Sequence, residues 1–282
     1  MAGNVIGLVQ AFEQCNFRQA LVILNRDFIC NTLTARITEN SEVQAEPSDS
    51  SSEDQSKANK TKVKPELPTK NIPFGRELGG LRFDVPYLQD KGITVETAKD
   101  FGVGYCSRGL MKSRVVFPIK NREGIIMSYS GRTLKENEDK YRFPAGFNKS
   151  LELFNIDRIC NNAETKKAVL DFGIIIVEGF TDAMKLWQEG FKNVVALMGS
   201  DFQVPQKNIL LDPQVNPTRR ITLFLDNNDA GNRGKRKIAR DCIHNAFIRY
   251  ANYSRVDDPQ KTEPEHFAKE ELTAILGFKN IS

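Results

Sequence analysis

The chain has 282 residues, with 40 Lys and Arg against 36 Asp and Glu and a formal net charge of +4. A balance that weak does not argue for a polyanionic partner, so any nucleic-acid role must rest on where the cations sit. Five cysteines, at 15, 30, 106, 160 and 242, form no C-x-x-C pair and stand beside only two histidines, which excludes a disulfide framework and a zinc ribbon; no apolar run of about 18 residues and no signal-peptide pattern occurs, so a cytoplasmic chain with no membrane contact is expected.

In chain order, residues 3–28 alternate apolar and polar at helical spacing and predict two short amphipathic helices within a first segment, 1–37. Residues 38–71 are rich in Ser, Glu, Asp, Lys and Pro with almost nothing apolar. Such a stretch cannot bury enough surface to offset its ordering entropy and is expected to be a disordered linker. Order resumes near Ile72. The segment VPYLQDKGITVETAKDFGVGY predicts a helix, a turn at Lys91-Gly92, a helix capped by Thr94, and a strand. Residues 114–120 and 124–129 read as a hairpin joined through Asn121 to Gly124. Cations recur through this half, at Arg114, Arg132, Lys140 and Lys149 among others, and scattered Lys and Arg most often mean a solvated surface.

The most informative stretch is 174–231. Residues 174–177 are β-branched and of buried-strand length, and helical spacing follows at Phe180, Ala183, Met184 and Trp187. Further strands are expected at 193–198 and 221–225, so strand and helix alternate, which predicts an α/β fold with a parallel sheet. Ligand sites in such sheets lie beyond the carboxyl ends of the strands. Glu178 follows the first strand, and Asp226, Asn228 and Asp229 follow the third, so acids face one crevice, where carboxylates suit Mg²⁺ with substrate phosphates. A competing reading makes Asp226 and Asn228 simple helix starters. An EF-hand is excluded, because Ala230 and Lys237 stand where oxygen ligands are required. Residues 232–250 predict one amphipathic helix, with Ile238, Cys242, Ala246 and Tyr250 on the apolar face and Arg233, Arg236, Lys237 and Arg240 on a basic stripe. That stripe reads either as a solvated face or, at Arg233 and Lys237, as a second phosphate contact beside the metal site. A further acidic pair follows at Asp257 and Asp258.

The run VEGFTDAMKLWQEGFKNVVALMGS, followed by LFLDNNDAG, resembles a Toprim domain. Upstream, RVVFPIKNREGIIMSYSGRTL and KYRFPAGFNKSLELFNIDRI are similar to the basic subdomain that precedes Toprim in DnaG-type primases, especially those of mobile elements. The resemblance implies an α+β basic subdomain at 72–165 followed by a Rossmann-like Toprim subdomain at 166–282, and it makes 1–37 similar to the end of a primase zinc-binding domain whose ligands are missing, so zinc is not expected. It also implies synthesis of short RNA primers on single-stranded DNA from nucleoside triphosphates, with Mg²⁺ or Mn²⁺ as cofactor and a replicative helicase as a further partner. Glu178 and Asp226 would be catalytic, Glu178, Asp226, Asn228 and Asp229 would hold metal, and Arg114, Arg132, Lys140 and Lys149 would bind template and nucleotide phosphates. Two alternatives stay open: a Toprim metal nuclease, and a non-catalytic nucleic-acid-binding remnant, since Asn228 stands where the pattern has a second Asp.

Overall fold

Pro86 and Thr94 start the first two helices for different reasons. In the computed structural model, which describes residues 68–278 apart from 137, 200, 257 and 259, α1 (Pro86–Asp90) carries proline in its first turn, where the missing N–H would have no partner anyway. Helix α2 (Val95–Phe101) is capped by Thr94, whose hydroxyl accepts from Thr97 N, and ends at Gly102 with φ 65°. The described residues belong to one unit, Val63–Ser282; the expected helical pair at 3–28, and the linker as far as residue 67, fall outside them.

Strands β1 (Gly104–Cys106), β2 (Arg114–Lys120), β3 (Ile126–Thr133) and β4 (Tyr141–Arg142) form an antiparallel sheet in chain order. The predicted hairpin is present, but its second strand starts and ends later than 124–129. Val115 pairs with Arg132 and Val116 with Gly131, so Gly131 and Arg132 sit inside a strand, not in an exposed turn. Gly131 stays in the ladder because the long partner strand β2 keeps it going.

After α3 (Ile156–Asn161) and α4 (Ala163–Phe172), the second sheet begins with β5 (Ile174–Val177), buried at every residue. It continues through α5 (Phe180–Gln188), β6 (Val194–Ala196), α6 (Val204–Leu211), β7 (Arg220–Leu223), α7 (Asp229–Cys242) and β8 (Phe247–Tyr250). All pairings are parallel and the order is β6-β5-β7-β8. This is the α/β architecture expected, with helices crossing between strands that read as continuous apolar runs. One expectation fails: the helix forecast over 232–250 stops at Cys242, and residues 247–250 form the edge strand β8. The three-to-four apolar spacing fits a helix locally, but pairing with β7 decides the outcome. Accordingly Tyr250, expected on the apolar face of that helix, is 50% exposed, beside Ile243 at 60% and Phe247 at 68%.

The sheets meet in one apolar core. Phe180, the first residue of α5, stacks on Phe117 of β2 at 4.7 Å, meets Phe154 edge-on at 4.9 Å and lies 5.5 Å from Tyr141 of β4. Burying aromatic rings of this size is worth roughly 1.5–3 kcal/mol each, with about 0.5–1.5 more for a well-placed pair. Phe154 also bridges the backbone of Ala196 on β6. Helix α8 (Lys269–Leu276) packs against the 3₁₀ turn Tyr253–Arg255. Among the described residues no helix is long and apolar enough to cross a membrane.

Candidate functional site

The carboxyl ends of β5 and β7 deliver acids to one place. Glu178 follows Val177 directly, and Asp226 lies just past β7. Asp182, in the first turn of α5, accepts from Gly179 N through Oδ2 at 3.0 Å. Glu263 and Glu265 arrive from a 3₁₀ turn at Pro264–His266. These five acids border a cavity of about 350 Å³ whose other wall includes Tyr87, Arg132, Lys140 and Tyr141.

Crowding acids in a half-closed space makes their ionisation costly. Burial, then the Asp226 charge, pushes Glu178 up to about 7. Burial, then Glu263 and Glu265, pushes Asp226 up to about 6. Asp182 is raised well above its ordinary value by burial and by Glu265. Three carboxylate oxygens, Glu178 Oε1, Asp182 Oδ1 and Glu265 Oε2, are buried with no hydrogen-bond partner.

Two lysines stand at the ends of this row. Lys91 pairs with Glu265 and lies 3.7 Å from Glu263. Burial works against its charge, but the bond and field of Glu265 outweigh it and raise its pKa. The buried Lys235 donates to Asp226 O at 3.1 Å and sits 4.9 Å from the Tyr253 ring. Here burial wins and lowers the pKa, with Asp226 and Glu178 pulling the other way. Helix α7 comes this near only because residue 231 is glycine: a Cβ there would lie 2.1 Å from Asp226 O and 3.0 Å from Glu178 Oε1.

The opposite wall is cationic and aromatic. Arg132 lies over the rings of Tyr87 and Tyr141, at 5.0 and 5.2 Å, and its Nε is buried without a partner. Cation and ring hold each other in place, which spares part of the entropy of fixing a long side chain.

Two family models match the chain in order: the DNA primase catalytic core, N-terminal domain, over residues 109–160, and the Toprim domain over residues 173–251. Over those two spans the chain matches a DnaG-type primase core with a Toprim domain. A DNA primase of Staphylococcus aureus (strain COL) is 32% identical over 178 residues, which is 57% of this chain and 28% of that protein. The chain thus spans less than a third of the length of that relative. The RNA polymerase domain of Mycobacterium tuberculosis primase DnaG superposes with a TM-score of 0.54 at 19% identity, covering 68% of this chain and 74% of that one. A DNA primase domain from Pseudomonas aeruginosa gives 0.52 at 23% identity, covering 67% and 68%. At these identities the likeness is one of fold.

A primase core of this kind implies a divalent metal, and the residues present fit one. Three unpartnered, buried carboxylate oxygens in one acidic row are an arrangement that a hard cation satisfies. Glu178 and Asp226 belong to that row. Asn228 and Asp229, expected as metal ligands, do not border the cavity: Asn228 caps α7, its Oδ1 accepting from Gly231 N at 2.9 Å, and both residues are exposed. The helix-starting role weighed for Asn228 therefore takes its oxygen.

Of the expected phosphate-binding cations of the primase core, Arg132 and Lys140 face the cavity. Arg114 instead pairs with Glu138 at 2.7 Å and donates to Gly131 O. Lys149 donates to Met198 O at 3.0 Å, beside the cavity residue Gly199. Lys237 pairs with Asp201 at 3.0 Å, and Arg233 is exposed; neither borders the cavity. Asp257 is outside the described residues and Asp258 is not among the lining residues; Glu263 and Glu265 take the place foreseen for that pair. Asp182, Lys91, Lys235, Glu263 and Glu265 were missed. Asp182 had a signal, since it lies four residues after Glu178 on a helix that starts between them.

Proposed function

We propose that this core synthesises short RNA primers on single-stranded DNA by metal-dependent transfer of nucleotides from nucleoside triphosphates, with residues 72–165 as the basic subdomain and 166–282 as the Toprim subdomain. The observation that carries the reading is the opposed pair of walls: unpartnered acidic oxygens on one side of a single cavity, Arg132 and Lys140 on the other. Mg²⁺ or Mn²⁺ bound by Glu178 and Asp226, with Asp182, Glu263 and Glu265 beside them, would stabilise charge on the attacking and leaving oxygens. Without metal, burial and the Asp226 charge hold Glu178 up to about 7; it gives up that proton when it holds the cation at the metal edge, or, off the metal, takes the proton of the primer hydroxyl as general base. Lys140 and Arg132 neutralise triphosphate or template phosphate without reading base sequence. Tyr87 and Tyr141 fix the Arg132 guanidinium plane. Lys235 compensates part of the acidic charge.

The test is primer synthesis from labelled nucleoside triphosphates on single-stranded DNA with Mg²⁺ and then Mn²⁺, beside Glu178→Ala and with labelled template in parallel. Short products are expected, and the variant should lose more than the roughly 10–100-fold that an outer-shell partner of a metal site costs. Template cleavage without products would replace this reading by a nuclease. No turnover with DNA binding intact would replace it by a non-catalytic core.

A further inference from the structure

A second concentration of like charge lies at the edge of the parallel sheet. Among the described residues strand β8 pairs only with β7, and two recesses adjoin it. One, of about 560 Å³, is bordered by Arg249, Tyr250 and Arg255; the other, of about 190 Å³, by Arg220 and Phe247. They share Arg249, Gly277 and Phe278 and so form one groove.

Arg249 is held but not neutralised. Its Nε donates to Thr222 Oγ1 at 3.3 Å and its guanidinium lies 4.6 Å from the Phe278 ring centre, while one terminal nitrogen is buried without a partner. Burial, then Arg255 and Arg220, lowers its pKa. Arg255 donates to Ala274 O at 2.7 Å and Arg220 to Leu170 O at 2.5 Å, both carbonyls. Among the described residues none of the three makes an ion pair. Asp171, which borders the smaller recess, is taken by Lys167 at 2.9 Å.

Arg249, set between the fields of Arg255 and Arg220, costs stability unless an anion enters. Guanidinium matches phosphate through paired N–H donors. Phe247 is exposed on the face of β8 that carries Arg249, and Tyr250 on the opposite face, so a strand passing over the sheet edge meets both, and exposed rings beside arginines are what unpaired bases stack on. The 3₁₀ turn Tyr253–Arg255 joins this groove to the acidic cavity, with Tyr253 against Lys235 and Arg255 in the groove.

We propose that the β8 groove is a second nucleic-acid contact, in which Arg249 and Arg255 hold phosphates of a single strand and Tyr250 and Phe247 stack its bases. The choice of nucleic acid as the polyanion rests on the function proposed above; the groove's affinity for phosphate does not.

Binding of a fluorescent oligo-dT strand across a salt series tests it, with wild type compared with Arg249→Gln/Arg255→Gln, Arg249→Lys/Arg255→Lys, Phe247→Ser/Tyr250→Ser and, for the cavity, Lys140→Ala. The Gln pair should bind about tenfold more weakly, with a salt slope smaller by about 1.4, because each single-strand phosphate contact contributes about 0.7. It should melt no lower than wild type, since an uncompensated charge is removed. The Lys pair should keep most of the slope. The Ser pair, changed only at exposed side chains, should lose at least about tenfold with the slope unchanged, because stacking on a ring involves no phosphate charge. A Gln pair that binds like wild type, or a Ser pair that does, overturns the proposal. Loss of affinity for poly-glutamate but not for oligo-dT would reassign the groove to an acidic protein segment. If only Lys140→Ala weakens binding, the groove proposal falls and the cavity reading stands; if wild type binds no oligo-dT, both fall.

Discussion

The two walls of the cavity are built by opposite means. The parallel sheet brings acids by topology: wherever a strand ends, the next residue joins the same edge, so Glu178 and Asp226 meet although 48 positions separate 178 from 226. The antiparallel sheet brings cations by register, and only a residue on the correct face of the correct pair arrives. Arg132, paired with Val115, faces the cavity, whereas Arg114, paired with Thr133, turns to Glu138. Topology is forgiving of a one-residue error and register is not.

Joining the walls is the work of Phe180, so Phe180→Ala should give the largest loss of stability. A ring replaced by a methyl in such a core costs about 3–5 kcal/mol. Thermal unfolding should drop by about 10 °C for a unit of this size, and a drop of under about 3 °C would mean that the walls are held together elsewhere. The next largest contrast is between one lysine and one arginine truncation. Lys140→Ala should weaken nucleoside triphosphate binding about tenfold, and Arg114→Ala less than about twofold, because its ion pair with Glu138 is a partly exposed one worth about 1 kcal/mol or less. Equal losses in a titration would show that register does not sort the cations.

A smaller effect separates the acidic wall by pH. Glu178 and Asp226 have folded values of about 7 and about 6 against ordinary values of 4.5 and 3.8. Raised acids stabilise the fold through their bound protons below the ordinary values, and that contribution is lost as pH rises through the folded ones. In chelator, the melting temperature of wild type relative to Glu178→Gln should therefore fall between pH 4.5 and 7.5, and Mg²⁺ should restore wild type most at the upper end. A gap independent of pH would contradict the crowding of these acids. Smallest of all is Asn228→Asp, which preserves the cap on α7 and lies outside the cavity. Primer synthesis should change by less than about threefold; a large gain would place residue 228 in the metal site after all.

What the sequence disclosed follows the same division. Buried strands of β-branched residues ending in Glu178 and Asp226 are readable because period and position coincide. Glu263 and Glu265 come from an irregular segment with no period, where charge reads as solvation, and only packing under α1 and α5 reveals them. Lys235 is hidden inside a basic run whose other members, Arg233, Arg236 and Arg240, are exposed. The edge strand β8 was mistaken for helix because Ala246 and Tyr250 continue a helical spacing, and nothing local reports that Leu223 pairs with Tyr250.

Gly231 gives the site an unusual vulnerability. The separation between α7 and the acidic row is set by an atom that is absent, and Lys235 lies one helical turn further along the same helix. A single methyl group at 231 would act as a wedge against the carbonyl of Asp226, lifting the helix and withdrawing the ammonium together. The cavity can thus be disabled with every charged side chain still present, by steric means alone.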